Sequence, residues 1–148
     1  MLNLQSPIEM IMSTDLITVG EFDPLTRVKE IFDNNNLHHI PVVESCKIIG
    51  IISKSDYLFF LRGFSPDEAK YDIYRLKAHF VHEIMTVGVA TLEVQERIVV
   101  ALEVFKENLF HAIPITNNER LVGIVTTYDI INALAENKGA INQYQIAS

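Results

Sequence analysis

The sequence predicts an α/β protein of the α+β kind, built as two βαββα repeats packed into a pseudo-two-fold pair. Three observations carry this reading. The chain repeats itself at an offset of 73 residues, and in each copy strand-like and helix-like apolar spacing alternate in the same order. A unit of about 60 residues also buries too small a fraction of its surface to stand comfortably alone, so the two copies are expected to cover each other.

Residues 12–58 align on 85–131 without a gap, and 11 of the 47 positions are identical: Met12/Met85, Thr18/Thr91, Glu30/Glu103, Phe32/Phe105, Asn35/Asn108, His38/His111, Ile40/Ile113, Pro41/Pro114, Gly50/Gly123, Ile51/Ile124 and Asp56/Asp129. Others are like for like, such as Ser53/Thr126, Val42/Ile115 and Lys47/Arg120. Each copy opens with a short strand, Ile17-Thr18-Val19 or Ala90-Thr91-Leu92. A helix follows, for which Asp23 is the expected N-cap and Pro24 the first helical residue. Leu25, Val28, Ile31 and Phe32 share one face of it, matched by Ile98, Ala101, Val104 and Phe105. Strands at 40–43 and 113–116 carry Pro41 and Pro114, which suit a strand start or an edge. Turns at 44–47 and 117–120 lead to apolar strands at 48–52 and 121–125, with a second helix from about Asp56 or Asp129.

This gives residues 7–62 as repeat 1, 63–80 as a helical linker, 81–137 as repeat 2 and 138–148 as a C-terminal tail. In the linker, Ser65-Pro66-Asp67-Glu68 is a helix-start signature, and Ile73, Leu76, Phe80 and Ile84 predict an amphipathic helix continuing over 69–85. Residues 1–5 and the stretch after Gly139 read as frayed or partner-dependent ends.

Composition narrows the function. Of 148 residues, 49% are hydrophobic and 21% charged, the profile of a globular chain. No run approaches the ~18 apolar residues of a membrane span, and residues 1–5 do not resemble a signal peptide. Cys46 is the single cysteine, which excludes an intramolecular disulfide and a cysteine-based metal site. A cytoplasmic setting is the default expectation. The net charge of −7, with no basic run, argues against nucleic-acid binding.

Ser53-x-x-Asp56 and Thr126-x-x-Asp129 each follow an apolar strand. Such a pair can close a capping box at a helix start. The same chemistry also suits a ligand, since a carboxylate accepts from vicinal hydroxyls and a hydroxyl donates to phosphate near helical N–H groups. Gly50 and Gly123 interrupt strands, as a bulge or a close backbone approach would require. His79-x-x-His82-Glu83 offers two ring nitrogens but no visible third ligand, so a solvated face is the better account and no metal is expected. No P-loop, nucleophile–base motif or metal-ligand set is present, so an enzyme ranks last.

With these residues the chain resembles the tandem cystathionine-β-synthase (CBS) domain pair, also called a Bateman module. The resemblance runs from about Pro7 to Glu136. It rests on His38-His39-Ile40-Pro41-Val42 with Gly50-Ile51-Ile52-Ser53-Lys54-Ser55-Asp56, and on His111-Ala112-Ile113-Pro114-Ile115 with Gly123-Ile124-Val125-Thr126-Thr127-Tyr128-Asp129. It implies side-by-side sheets, two pseudo-symmetric clefts binding AMP, ADP, ATP or S-adenosylmethionine, a disc-like homodimer, and control of an attached or partner enzyme, transporter or channel; with no attached enzyme domain in 148 residues, a separate partner is expected. It places Asp56 and Asp129 on ribose, Ser53 and Thr126 near phosphate, and His38 and His111 facing phosphates. Ile51 and Ile124 belong to the motif, and Thr18 and Thr91, with Leu37 and Phe110, fall near an adenine slot. His39 and Lys54 are further cations found in the first copy only, where the second has Ala112 and Thr127. Two unequal clefts are therefore expected. The alternative is a dimerisation or scaffold module that binds no ligand.

Overall fold

The computed structural model describes residues 2–62, 72–107 and 109–136. In chain order the elements are α1 (Leu25–Asn34), β1 (His39–Glu44), β2 (Lys47–Ser53), α2 (Lys54–Leu61), α3 (Asp72–Ala78), β3 (Leu92–Glu93), α4 (Ile98–Lys106), β4 (Ala112–Asn117), β5 (Arg120–Thr126) and α5 (Thr127–Leu134). Short 3₁₀ turns at Ile8–Met10 and Val81–Glu83 stand 73 residues apart, so the duplication reaches further back than the sequence match. Leu25, Val28, Ile31 and Phe32 are all buried on one face of α1, and Ile98 and Ala101 on α4. Helical apolar spacing is realised as burial in both copies.

The hairpins β1–β2 and β4–β5 turn through Ser45-Cys46 and Asn118-Glu119, all four at positive φ, as two-residue turns between twisted strands require. The hairpins meet at their turn ends through Lys47 and Arg120, where the Leu121 N–H donates to the Cys46 carbonyl at 2.9 Å. One five-stranded sheet results, in the order β1-β2-β5-β4-β3. Of the two predicted opening strands, the second survives as β3, parallel to β4. The first shrinks to a single parallel bridge between Val19 and Val42.

A register shift in each hairpin, at Val42/Val43 and Ile115/Thr116, sets which side chains face where. Ile52 and Ile49 both join the first core, Val125 and Val122 the second. Between these pairs, Ile51 and Ile124 turn away from their own cores to meet each other. With Ala112, Leu16 and Val89 they form a third apolar cluster between the repeats. The all-apolar strands are thus covered on both faces, as their composition demands.

The two cores do not follow chain order. Ile8 is fully buried in the core of α4, β4, β5 and α5, with Leu4, Ile11 and Met12 beside it. Leu76 and Val81 are buried in the core of α1, β1 and β2, with Ile84 and Met85 beside them. Paired backbone contacts hold the exchange: Ile8 N–H to Glu96 carbonyl and Val81 N–H to Asp23 carbonyl, with bridges Pro7–Arg97 and Pro24–Phe80. The segment at the front of each repeat therefore completes the core of the other.

Several local expectations are corrected. Asp23 does not cap α1; its carboxylate accepts from the Gly20 N–H at 2.9 Å, and extended Pro24 stands at the N-cap without a side-chain bond. α2 and α5 begin two residues before Asp56 and Asp129. No single helix runs over 69–85, because α3 ends at Ala78 and a 3₁₀ turn follows. Leu76 alone of the predicted face is buried, while Ile73 and Phe80 are exposed. The helix-start signature at 65–68 and the chain beyond 136 lie outside the described residues. Residues 2–5 are not frayed: the Val99 N–H donates to the Leu4 carbonyl, and Arg97 bonds the Gln5 side chain.

Gly50 and Gly123 mark where the exchanged segments cross the sheet. A Cβ on Gly123 would lie 2.5 Å from Met12 Sδ and 3.1 Å from the Ser13 carbonyl, and one on Gly50 would meet Met85 and Thr86 likewise. Both expectations for these glycines hold, since each sits beside a register shift and under a close backbone approach, but the approaching backbone is the protein's own. Met12 can swing aside, whereas the Ser13 carbonyl is fixed by the Ile124 N–H. Gly123→Ala should cost about 1–3 kcal/mol in urea unfolding; an unchanged midpoint would refute this crossing.

Candidate functional site

Both Ser/Thr-x-x-Asp motifs form complete capping boxes. Ser53 Oγ accepts from the Asp56 N–H at 3.0 Å, and Asp56 Oδ2 accepts from the Ser53 N–H at 2.9 Å. Thr126 and Asp129 repeat the arrangement at 3.2 and 2.8 Å. Capping uses only part of each carboxylate. Oδ2 of Asp129 takes the Thr126 N–H and hydroxyl, while Oδ1 has, among the described residues, only the Ser13 hydroxyl at 3.5 Å. One oxygen thus holds the helix start and the other is left to accept from a ligand.

A cleft of about 700 Å³ opens beside this carboxylate, within the size range of small-molecule sites. Both repeats build it. Leu16, Ile17, Leu37 and Pro41 give apolar surface from the first, and Ile124 from the second. Thr126, Thr127 and Asp129 line it from the start of α5, with Tyr128 largely exposed at the same place. Three histidines face in: His38, His39 and His111. The carbonyls of His38 and His111 accept the first N–H of α2 and α5 respectively, at 2.8 and 3.4 Å, so each is tied to a helix start.

Among the described residues the lining holds two carboxylates, Asp15 and Asp129, and neither lysine nor arginine. His39 is half-buried, at the position where the other copy has Ala112. Burial, and then the neighbouring His38 and His111, hold its pKa below the usual histidine value, with Asp56 opposing. His39 is therefore a neutral ring at neutral pH.

The cleft brings together His38, His39, Leu37, His111, Ile124, Thr126 and Asp129 of the sequence candidates. Thr18 is half-buried outside it, Thr91 is exposed, and Ile51 sits in the apolar cluster behind Ile124. Ser53, Lys54 and Asp56 start α2, and Phe110 answers to Leu37, at the 73-residue equivalents of this cleft across that cluster. His39 and Lys54 do not belong to one cleft: His39 shares its cleft with Thr127 of the other copy, and Lys54 does not line it. Ser13, Asp15 and Asn36 also line the cleft and carried no sequence signal; Tyr128, from within the second motif, lines it too. His79 and His82 are not on one helix face; His79 pairs with Glu83 at 3.0 Å and His82 contacts Phe22 and Phe80.

Two capping boxes, two exchanged segments and a cleft shared by both halves define a tandem domain pair. The family model of the CBS domain matches residues 8–63 and 81–136, and the chain belongs to the CBS domain family. A relative in Methanocaldococcus jannaschii, described as an uncharacterized protein, is 31% identical over 93% of this chain, which spans 30% of that protein's length. The crystal structure of the CBS domain of a CBS domain-containing membrane protein from Sphaerobacter thermophilus matches with a TM-score of 0.74, at 24% identity over 87% of this chain and 88% of that one. The CBS domain pair of protein MJ0100, solved with 5′-methylthioadenosine and S-adenosyl-L-methionine, matches at 0.68, with 28% identity over 90% of this chain and 98% of that one.

His39 gives the free protein a pH dependence. Its folded pKa lies below its unfolded one, so the unfolded chain gains the proton first on acidification. Stability should fall as pH drops through ~6.5 towards the lower folded value, and be unaffected by this ring above it. His39→Gln should remove that part of the acid loss in urea melts at pH 7.5 and 5.5. Equal losses in both proteins would contradict the assignment.

Proposed function

We propose that the chain is a regulatory module that binds an adenosine-containing ligand, AMP, ADP, ATP or S-adenosylmethionine, between its repeats and signals to a partner protein in the cytoplasm. One observation carries the reading: a cleft of about 700 Å³ in which apolar surface lies beside the partly free carboxylate of Asp129 at a helix start. Leu16, Ile17, Leu37, Pro41 and Ile124 suit a purine ring, Asp129 Oδ1 the ribose hydroxyls, and Thr126 with the α5 N-terminus a polar substituent. The two ligands in the MJ0100 structure are both adenosyl compounds, which supports the same class here. Ser53, Asp56 and Lys54 would serve an equivalent cleft. A ligand contacting both repeats can shift their relative orientation by its differential affinity for the two arrangements.

The scaffold reading keeps one observation in its favour. α2 and α5 expose apolar residues at equivalent places, Leu58 at 47% and Ile131 at 61%, with Leu134 at 55%. A pseudo-two-fold face of this kind suits a second copy of itself. We take the homodimer and the ligand cleft as parts of one device.

In a thermal-shift series with 5′-methylthioadenosine, S-adenosylmethionine, AMP, ADP and ATP, at least one ligand at about 100 times its dissociation constant should add roughly 2.7 kcal/mol. Asp129→Ala should weaken that response. A flat response to all five in the unaltered protein would favour the scaffold. Light scattering should show a dimer that Leu58→Asp with Ile131→Asp converts to monomer; a monomeric parent protein would remove the homodimer.

A further inference from the structure

Accepting the cleft as an adenosine-ligand site, its charge inventory says which adenosine compounds it takes. Ligand phosphate would enter a lining that, among the described residues, holds Asp15 and Asp129 and no lysine or arginine. An anion placed there without a counter-charge is costly. The groups able to supply one are His38 and His39 from the first repeat and His111 from the second, facing the same space. Histidine is the side chain whose charge can be switched near neutral pH.

We propose that His39, facing the same space as His38 and His111, selects ligand charge: the cleft takes a phosphate-bearing adenosine compound only as His39 takes up a proton, and an uncharged adenosine compound at any pH.

The placement of His39 makes it the centre of the device. It is the half-buried member of the trio, beside His38, His111 and Asp56, while Asp15, Tyr128 and Asp129 are the other titratable groups on the cleft. In the free protein, burial and two neighbouring imidazoles disfavour its charged form. A phosphate brings the missing negative charge, so anion and proton each favour the other's binding, by the same factor in both directions. The second copy has Ala112 at this position, so the feature belongs to one copy alone. Phosphate affinity should rise on acidification by at most about tenfold per pH unit for each proton taken up.

The test compares two probes by isothermal titration on the full chain from about pH 8 to about pH 5.5. One is the methyl ester of adenosine 5′-monophosphate, a phosphodiester whose single charge is fixed over this range. The other is uncharged 5′-methylthioadenosine. The expected result is phosphodiester affinity that rises several-fold or more as pH falls, beside a nearly constant affinity for the thioether. Titration in buffers of different ionisation enthalpy should show proton uptake with the phosphodiester alone. His39→Gln should flatten the phosphodiester slope. Equal slopes for both probes, or no proton uptake by the unaltered protein, would overturn the charge selection and leave the adenosine reading standing. Binding of neither probe at any pH would overturn both. The proton count needs no variant, so a poorly folding His39→Gln does not shield the proposal.

Discussion

Two backbone crossings hold the fold in the shape its cleft needs. Ser13 pairs with Ile124 over Gly123, and Thr86 pairs with Ile51 over Gly50. Each crossing carries a segment from the front of one repeat into the core of the other, Ile8 in one direction and Val81 in the other. Neither core is complete within its own stretch of sequence. The physical requirement is the absence of a Cβ where two backbones meet, and both copies meet it with glycine.

The cleft is a consequence of those crossings. After Ser13 the chain runs through Asp15, Leu16 and Ile17 along the space beside α5, bringing first-repeat residues against Thr126 and Asp129. The capping boxes then divide the labour of each aspartate. Holding a helix start and accepting from a ligand are not rival uses of Asp129, because they draw on different oxygens. A ligand seated here touches both halves of the molecule, which is what a sensor of their mutual orientation requires.

Much of this was legible in the sequence because it is local or repeated. The apolar faces of α1 and α4, the hairpin turns and both capping boxes follow from spacing within a few residues and recur at the 73-residue offset. The exchange was not legible. Pro7 and Phe80, or Ile8 and Val81, do equivalent work with different side chains, and their contacts span the chain without any local period. The predicted linker face failed for the same reason: Val81, off the expected stripe, is buried because it belongs to α1 and β1 in space. Among site residues, Asp129 and Thr126 came from a motif. Ser13, Asp15 and Asn36 are ordinary loop residues placed on the cleft by the crossing. His39 and Lys54 both belong to the first copy, yet only His39 lines this cleft, because a cleft drawn from both repeats mixes the copies.

The central claim is that one ligand engages both repeats at once, through the segment that follows the crossing and through the start of α5. Amide chemical-shift mapping with 5′-methylthioadenosine tests it most directly. The account predicts that perturbations appear together, in one saturable titration, on Asp15 to Ile17, on Leu37 to His39 and on Thr126 to Asp129. Saturable shifts confined to one repeat, or centred away from these three stretches, would contradict it.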